Sequence, residues 1–268
     1  MIETRAHAKI NWALRILGRR PDGFHDLETL FQTISLHDTL TIRESDRFVL
    51  TCDDPAIPTD ESNLILRAAR ALGSAPVAIE LRKRIPAGGG LGGGSSDAAA
   101  TLVALSEMFG LEKPLHDIAL SLGSDVPFFL VGGTAYATGR GEELISLSPA
   151  APIPLLLLFP EERVSTPEAF RMIRRYSQPV GVEAFDEAVH DDLLARHELL
   201  VNDFEPPVFA LLPHLGELKR RLYDAGAAWA GMSGSGSTIV AAFRSAAARD
   251  AAAESFSDVP LQRAESVA

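Results

Sequence analysis

Over residues 5–15 (RAHAKINWALR) hydrophobic and polar positions alternate. Ala6, Ala8, Ile10, Trp12 and Leu14 fall on one side; Arg5, His7, Lys9, Asn11 and Arg15 fall on the other, with Ala13 among them. A period of two predicts a half-buried strand, with Lys9 and Asn11 two residues apart on its polar face. Pro21-Asp22-Gly23 reads as a turn. Strand-like runs follow at 39–43 and 48–52, and SNLILRAARAL at 62–72 predicts a helix with Ser62 as candidate N-cap. At 77–85 the period returns to two, with Val77, Ile79, Leu81 and Ile85 on one face and Pro86 as the stop. After a glycine-rich stretch, Ala98, Leu102, Leu105 and Phe109 mark a helix face that Gly110 ends.

Further along, 115–123 predicts a short helix, TAYAT at 134–138 a strand, and 155–159 a buried strand. Helices are expected over 167–175, 186–200 and 214–224, and a strand over 238–243 after a second glycine/serine loop, GMSGSGST. PAAPIP at 149–154 has three prolines in six residues, which suits a linker or a rigid lead-in to a new domain. The pattern predicts two domains, 1–150 and 151–268, of mixed α+β character. No fixed-period repeat is visible.

Composition narrows the function. A hydrophobic fraction of 46% is that of a globular chain. The net charge of −11 argues against a general nucleic-acid or anionic-membrane surface. The longest apolar run, IPLLLLF, falls far short of the ~20 residues of a membrane helix, so no membrane partner is expected. The N-terminus shows no apolar signal core, and Cys52 alone makes no internal disulfide; the expected location is cytoplasmic.

The chemistry centres on RIPAGGGLGGGSSDAAATL, residues 84–102, lying between the 77–85 strand and the helix that follows. Glycines let a backbone approach a ligand closely. A loop that runs into a helix aims unpaired N–H groups and the positive end of the helix dipole at one spot, an anion site. Ser95 and Ser96 add hydroxyls that suit a cap, a phosphate or its metal. A Walker A loop fails, because Ser95 rather than Lys follows Gly94. Gly88-x-Gly90-x-x-Gly93 matches a dinucleotide fingerprint, but no hydrophobic strand ending in an acid follows about 20 residues on. That leaves a different phosphate loop, one that takes its lysine from elsewhere, or a bare glycine turn.

Pro86-Ala87-Gly88-Gly89-Gly90-Leu91-Gly92-Gly93-Gly94-Ser95-Ser96, with the second loop Gly231-Met232-Ser233-Gly234-Ser235-Gly236-Ser237, resembles the GHMP kinase superfamily. The opening AHAKINWALRILGRRPDGFHDLETLFQTISLHD, with SDVPFFL and NDFE, is similar to those members that phosphorylate the 2-hydroxyl of a methylerythritol carried on cytidine diphosphate. The resemblance implies a ribosomal-protein-S5-like N-terminal domain and a ferredoxin-like C-terminal domain, with ATP as co-substrate and Mg²⁺ arriving on it. It implies Lys9 and Asp125 as catalytic residues: the carboxylate positions the acceptor hydroxyl and takes its proton, and the ammonium stabilises charge on the transferring phosphoryl group. Gly88, Gly89, Gly90, Leu91, Gly92, Gly93, Gly94, Ser95 and Ser96 would cradle the phosphates. Asn63 and Lys83 would lie around the adenine. Asn11, Phe24, His25 and Thr166 would hold the acceptor, a cytidine diphosphate sugar alcohol, with His25 on the base edge and Phe24 against its face. Phe24 stands where relatives often carry Tyr, so any hydroxyl contact is lost. Asp97 stands where relatives carry Asn, and its charge would repel nearby phosphates; Asn202 and Asp203 read as structural. The seven histidines form no metal motif; Mg²⁺ is expected to be held mainly by phosphates and water, with Ser96 a candidate protein ligand. The alternatives are a mevalonate- or homoserine-type kinase on the same fold, a non-catalytic nucleotide-binding protein, and a dinucleotide oxidoreductase. Oligomeric state is not legible.

Overall fold

Two long strands open the chain, β1 (Ile2–Arg19) and β2 (His25–Glu44), joined through the Pro21-Asp22-Gly23 turn, where Gly23 takes φ +90°. They belong to a computed structural model that describes residues 1–148 and 151–267. Both exceed the expected runs. Residues 28–34 of β2 are buried on both faces, so no alternation betrays that half. The expected half-burial of β1 is corrected too: Ala8 to Arg15 are buried throughout, Lys9 being only 4% and Asn11 2% exposed. A polar face can be covered this way because its groups pair internally. Arg15, for example, donates to the carbonyls of Glu198 and Leu199.

The contacts divide the chain into two compact units. The first is Met1–Ala8, Leu36–Ala87 and Gly92–Gly132; the second is Lys9–Ser35, Gly88–Leu91 and Gly133–Ala268. β1 and β2 each contribute residues to both. The expected boundary at 150 falls on Pro149 and Ala150, outside the described residues.

In the first unit, residues 39–44 of β2 pair antiparallel with β4 (Val77–Arg82), and β4 pairs parallel with β3 (Val49–Cys52). Four helices pack with this sheet: α1 (Leu64–Leu72), α2 (Gly93–Phe109), α3 (Leu115–Leu122) and α4 (Val126–Val131). Ile42, Ile79, Leu81, Leu66, Leu102 and Leu105 share one apolar cluster. Asn63, not Ser62, caps α1: its Oδ1 accepts the N–H of Ile65 at 2.9 Å, while the Ser62 hydroxyl donates to Asp60. β4 stops at Arg82 rather than 85 because the N–H groups of Arg84 and Ile85 turn to the Asp38 carboxylate. Gly110 ends α2 in the left-handed conformation, as its position predicts.

In the second unit, residues 29–32 of β2 pair with β5 (Thr134–Thr138), which pairs with β6 (Glu143–Leu147). A separate antiparallel sheet runs β10 (Leu261–Glu265), β7 (Pro154–Leu158), β9 (Ile239–Ala242), β8 (Trp229–Met232). β7 is the IPLLLLF segment; Leu155 to Leu158 are all fully buried, as a strand covered on both faces requires. The helices are α5 (Thr166–Met172), α6 (Val182–His190), α7 (Glu205–Leu211), α8 (Pro213–Asp224) and α9 (Ala246–Ala253). Leu215, Leu218 and Leu222 of α8 and Ala252 and Ala253 of α9 join Leu156, Leu158, Ile239 and Ala241 in its core. The helix expected over 186–200 ends at His190. Asp192 takes the N–H groups of Leu194 and Ala195, and its carboxylate pairs with Arg244, so the chain leaves the helix for a short 3₁₀ turn at Leu193–Ala195.

Candidate active site

The glycine loop spans the end of β4 and the start of α2. Gly88, Gly90 and Gly92 take φ of +73°, +78° and +71°, values L side chains rarely adopt. At Gly90 the requirement is also steric: a Cβ would lie 2.1 Å from the Ser233 carbonyl oxygen. Instead the Ser233 hydroxyl donates to the Gly90 carbonyl at 2.9 Å, and the Lys9 N–H donates to that of Leu91 at 3.0 Å. α2 then begins at Gly93 with no side chain capping it. Its first-turn N–H groups, at the positive end of a 17-residue helix dipole, have the arrangement an anion site at a helix start requires. Neither serine caps the helix, since both lie inside it. Ser96 is buried and its hydroxyl donates to the His7 carbonyl at 2.6 Å; Ser95 is half-buried.

Beneath this turn lies a buried ionic cluster. Lys83 Nζ pairs with Asp38 and, at 3.0 Å, with Asp97. A Cβ on Gly93 would lie 3.2 Å from that ammonium. Burial pushes the Asp97 carboxyl up to about 7, against the opposing pull of Lys83 and with the Asp38 charge adding to the rise. Burial lowers the Lys83 ammonium, but the two carboxylates more than offset this, and it stays above the ordinary lysine value. Asp97 Oδ1 is buried without a hydrogen-bond partner. Asp97 therefore turns its charge into the cluster. Asn63 lies on α1 with its amide engaged by Ile65 N–H and the Pro58 carbonyl.

On β1 the Lys9 ammonium donates to Asn11 Oδ1 at 2.8 Å and lies 5.0 Å from the centre of the Phe31 ring. Asn11 Oδ1 also accepts the Gly234 N–H at 3.0 Å, and its Nδ2 donates to the Thr29 hydroxyl at 2.8 Å. One buried amide thus ties Lys9 to the second glycine loop. Asn202 holds the same loop from another side, donating to the carbonyls of Met232 and Gly234 while accepting the Phe204 N–H. Asp125, in the first unit, occupies the N-cap position of α4, yet its carboxylate makes no capping bond.

His25, at the start of β2, stacks on Phe170 of α5, with ring centres 4.5 Å apart and planes 12° from parallel. Tyr176 lies 6.4 Å from it. Burial, with a smaller push from Arg19, lowers the His25 imidazole below its ordinary value, which favours the neutral ring at pH 7. Phe24 is 50% exposed, with the Arg140 guanidinium 4.7 Å over its ring. Thr166, one turn before Phe170 on α5, shares a hydrogen bond with the Ser235 hydroxyl at 2.9 Å. Sequence reasoning missed Phe170; its signal was the four-residue spacing from Thr166, which puts both on one helix face. Among the described residues no group of three or more His, Cys, Asp or Glu could hold a metal ion, and no helix is long and apolar enough to cross a membrane.

Residues 63–133 match the family model for the GHMP kinases N terminal domain, and residues 182–260 that for the GHMP kinases C terminal. The chain is 43% identical over 262 residues to the 4-diphosphocytidyl-2-C-methyl-D-erythritol kinase of Chlorobaculum parvum, covering 93% of this chain and 92% of that one. It is 46% identical over 256 residues to the protein of the same name from Solibacter usitatus, covering 90% and 80%. A crystal structure of 4-(cytidine 5'-diphospho)-2C-methyl-D-erythritol kinase superposes with a TM-score of 0.86 at 38% identity, over 100% of both chains. Homoserine kinase from Cytophaga hutchinsonii gives 0.70 at 22%, over 98% of this chain and 95% of that one, a likeness of fold. This α+β, two-domain protein belongs to the GHMP kinases, in the family of the 4-diphosphocytidyl-2-C-methyl-D-erythritol kinases.

Proposed function

We propose that the chain transfers the γ-phosphoryl group of ATP to the 2-hydroxyl of 4-diphosphocytidyl-2-C-methyl-D-erythritol. The observation that carries the choice of acceptor is the stacked His25–Phe170 pair. It forms a half-buried, uncharged ring surface with a hydrogen-bonding edge, which suits a pyrimidine and has no purpose for mevalonate or homoserine. Thr166, on the same helix face, suits the sugar next to the base. Phe24 stays a candidate for packing on the base, although Arg140 covers part of its ring.

In this reading the loop Gly88–Gly94 and the first turn of α2 receive the ATP phosphates through backbone N–H groups, with Ser95 and Ser96 beside them. Asn63 and Lys83 stand near the adenine, Lys83 with its ammonium committed to Asp38 and Asp97. Asp125 accepts the proton of the acceptor hydroxyl, and Lys9, fixed by Asn11, stabilises the charge that develops during transfer. The residues fit a Mg²⁺ carried mainly by phosphates and water, since the Ser96 oxygen keeps lone pairs while its proton is donated to His7. When bound, the ion would neutralise charge on the β- and γ-phosphates. The cytoplasm remains the expected location, and no nucleic acid is expected as a partner.

The test is ADP release from Mg-ATP with the cytidine compound, with mevalonate and with homoserine. Release with the cytidine compound alone supports the reading. Release with another alcohol alone overturns the acceptor, and release with none overturns the activity.

A further inference from the structure

Arg163 lies on the connection between β7 and α5, three residues before Thr166. Its side chain lies over the start of the glycine loop: a Cβ on Gly88 would be 3.5 Å from Arg163 Nη1 and 3.8 Å from Cδ. Among the described residues the guanidinium makes no hydrogen bond and no ion pair, and the residue is exposed. The carboxylate next to it in sequence, Glu162, lies instead 3.0 Å from His214 Nε2. Lys83, a cation beside Gly93, is by contrast closed in by two carboxylates.

On the reading above, two polyanions must approach a protein of net charge −11. An exposed arginine whose side chain lies along the loop, with Nη1 nearest Gly88 and no hydrogen bond among the described residues, offers a donor fork that matches phosphate geometry, which a lysine serves only as a point charge. We infer that Arg163 is a phosphate-binding residue of this kinase, taking oxygens of a nucleotide di- or triphosphate that lies on the Gly88 end of the loop. The inference rests on the proposed activity for its ligand. The shared chemistry has two sources: the ATP triphosphate, and the diphosphate of the cytidine acceptor whose base lies at His25 and Phe170.

Steady-state kinetics of Arg163→Gln and Arg163→Lys, with each substrate varied in turn, separate the sources. Arg163→Gln should raise the KM of one phosphate-bearing substrate about tenfold, more than it lowers kcat, and Arg163→Lys should recover part of the loss. The increase of KM with added salt should also become shallower in Arg163→Gln. A rise for ATP assigns the triphosphate, and a rise for the cytidine compound assigns the diphosphate; both support the inference. Both KM values within twofold of wild type would overturn it. Calorimetric titration with ADP, with CDP and with adenosine keeps the test independent of turnover. Weaker binding of ADP or CDP, with adenosine unchanged, supports the role even if no acceptor is phosphorylated; equal binding of all three to both variants and wild type sinks it.

Discussion

Replacing Asp97 with Asn should make the protein more stable above neutral pH. Asp97 is 4% exposed and shares Lys83 with Asp38. Its carboxyl titrates near 7 in the folded protein against an ordinary value of 3.8. At 1.36 kcal/mol per pH unit, ionising it inside the cluster costs about 4 kcal/mol relative to the unfolded chain. Because the folded value lies above the unfolded one, the folded protein keeps a proton that the unfolded chain releases. Raising the pH from about 4 through 7 therefore removes stability, and lowering it restores stability. Between about pH 5.5 and 8 this one group should account for a loss of about 2 kcal/mol. Asn reproduces the protonated carboxyl in shape, with a donor for Asp38 and an acceptor for Lys83, and Lys83 keeps Asp38. Urea unfolding of both proteins at the two pH values is the assay, and their difference cancels the titrating groups outside the Asp97–Lys83–Asp38 cluster. The Asp97→Asn variant should gain about 2 kcal/mol on wild type between those pH values. Parallel pH dependence, or a variant weaker than wild type by more than about 1 kcal/mol at pH 8, would refute the reasoning and show that the ionised carboxylate holds the cluster together.

Asp125→Ala should lower kcat by about 10²–10⁴, the usual worth of a positioned general base, with little change in KM for ATP; a near-wild-type rate would remove Asp125 from the chemistry. His25→Ala should raise KM for the cytidine acceptor without changing that for ATP. The wild-type acceptor KM should rise in acid, with the rise displaced below the ordinary imidazole range because burial lowers the His25 value; an unchanged KM would unseat the base assignment. Asn202→Asp keeps the shape but replaces two donors with a carboxylate facing the Met232 and Gly234 carbonyls in a site 8% exposed. It should cost about 3 kcal/mol or more in urea unfolding; a loss under about 0.5 kcal/mol would show that the second glycine loop does not depend on that amide.

What the sequence disclosed, and what it hid, follows from which interactions are local. Gly110 as a helix stop, Gly23 in its turn, and the helix after the first glycine loop were legible because each depends on a few neighbouring residues. Residues 28–34 of β2 carry no readable period, since a strand buried on both faces has none. The α1 cap moved to Asn63 because Asp60 captures the Ser62 hydroxyl, a competition between side chains that periodicity cannot weigh. The end of α6 was missed for a similar reason, the hold of Arg244 on Asp192 across 52 residues. At the candidate site, the glycines were legible in the sequence itself, whereas Lys9 and His25 were singled out by the family resemblance. The inward turn of Asp97 and the stacking of Phe170 on His25 were not legible, because both depend on residues distant in the chain.

The placement of charge within these segments has a physical logic. On the proposed reading, a protein of net charge −11 that handles polyphosphates gains by keeping uncompensated carboxylates off the glycine loops that would receive them. Two loop-holding side chains of the second unit, Asn11 and Asn202, are neutral amides, which can accept and donate at once without adding a negative charge. Asp97 breaks that pattern, standing five residues past Gly92 in the helix that follows the glycine loop. Its carboxyl is turned toward Lys83 and Asp38, and its raised titration lets it hold a proton near neutrality. Both solutions keep uncompensated negative charge away from the loop, one by choice of side chain and the other by burial beside a cation. They respond differently to pH. The amides do not titrate, whereas the Asp97 cluster gains net negative charge as the pH passes 7. Weakening of ATP binding in that pH range should therefore be smaller in Asp97→Asn than in wild type, separating the cluster's electrostatic reach from its effect on folding.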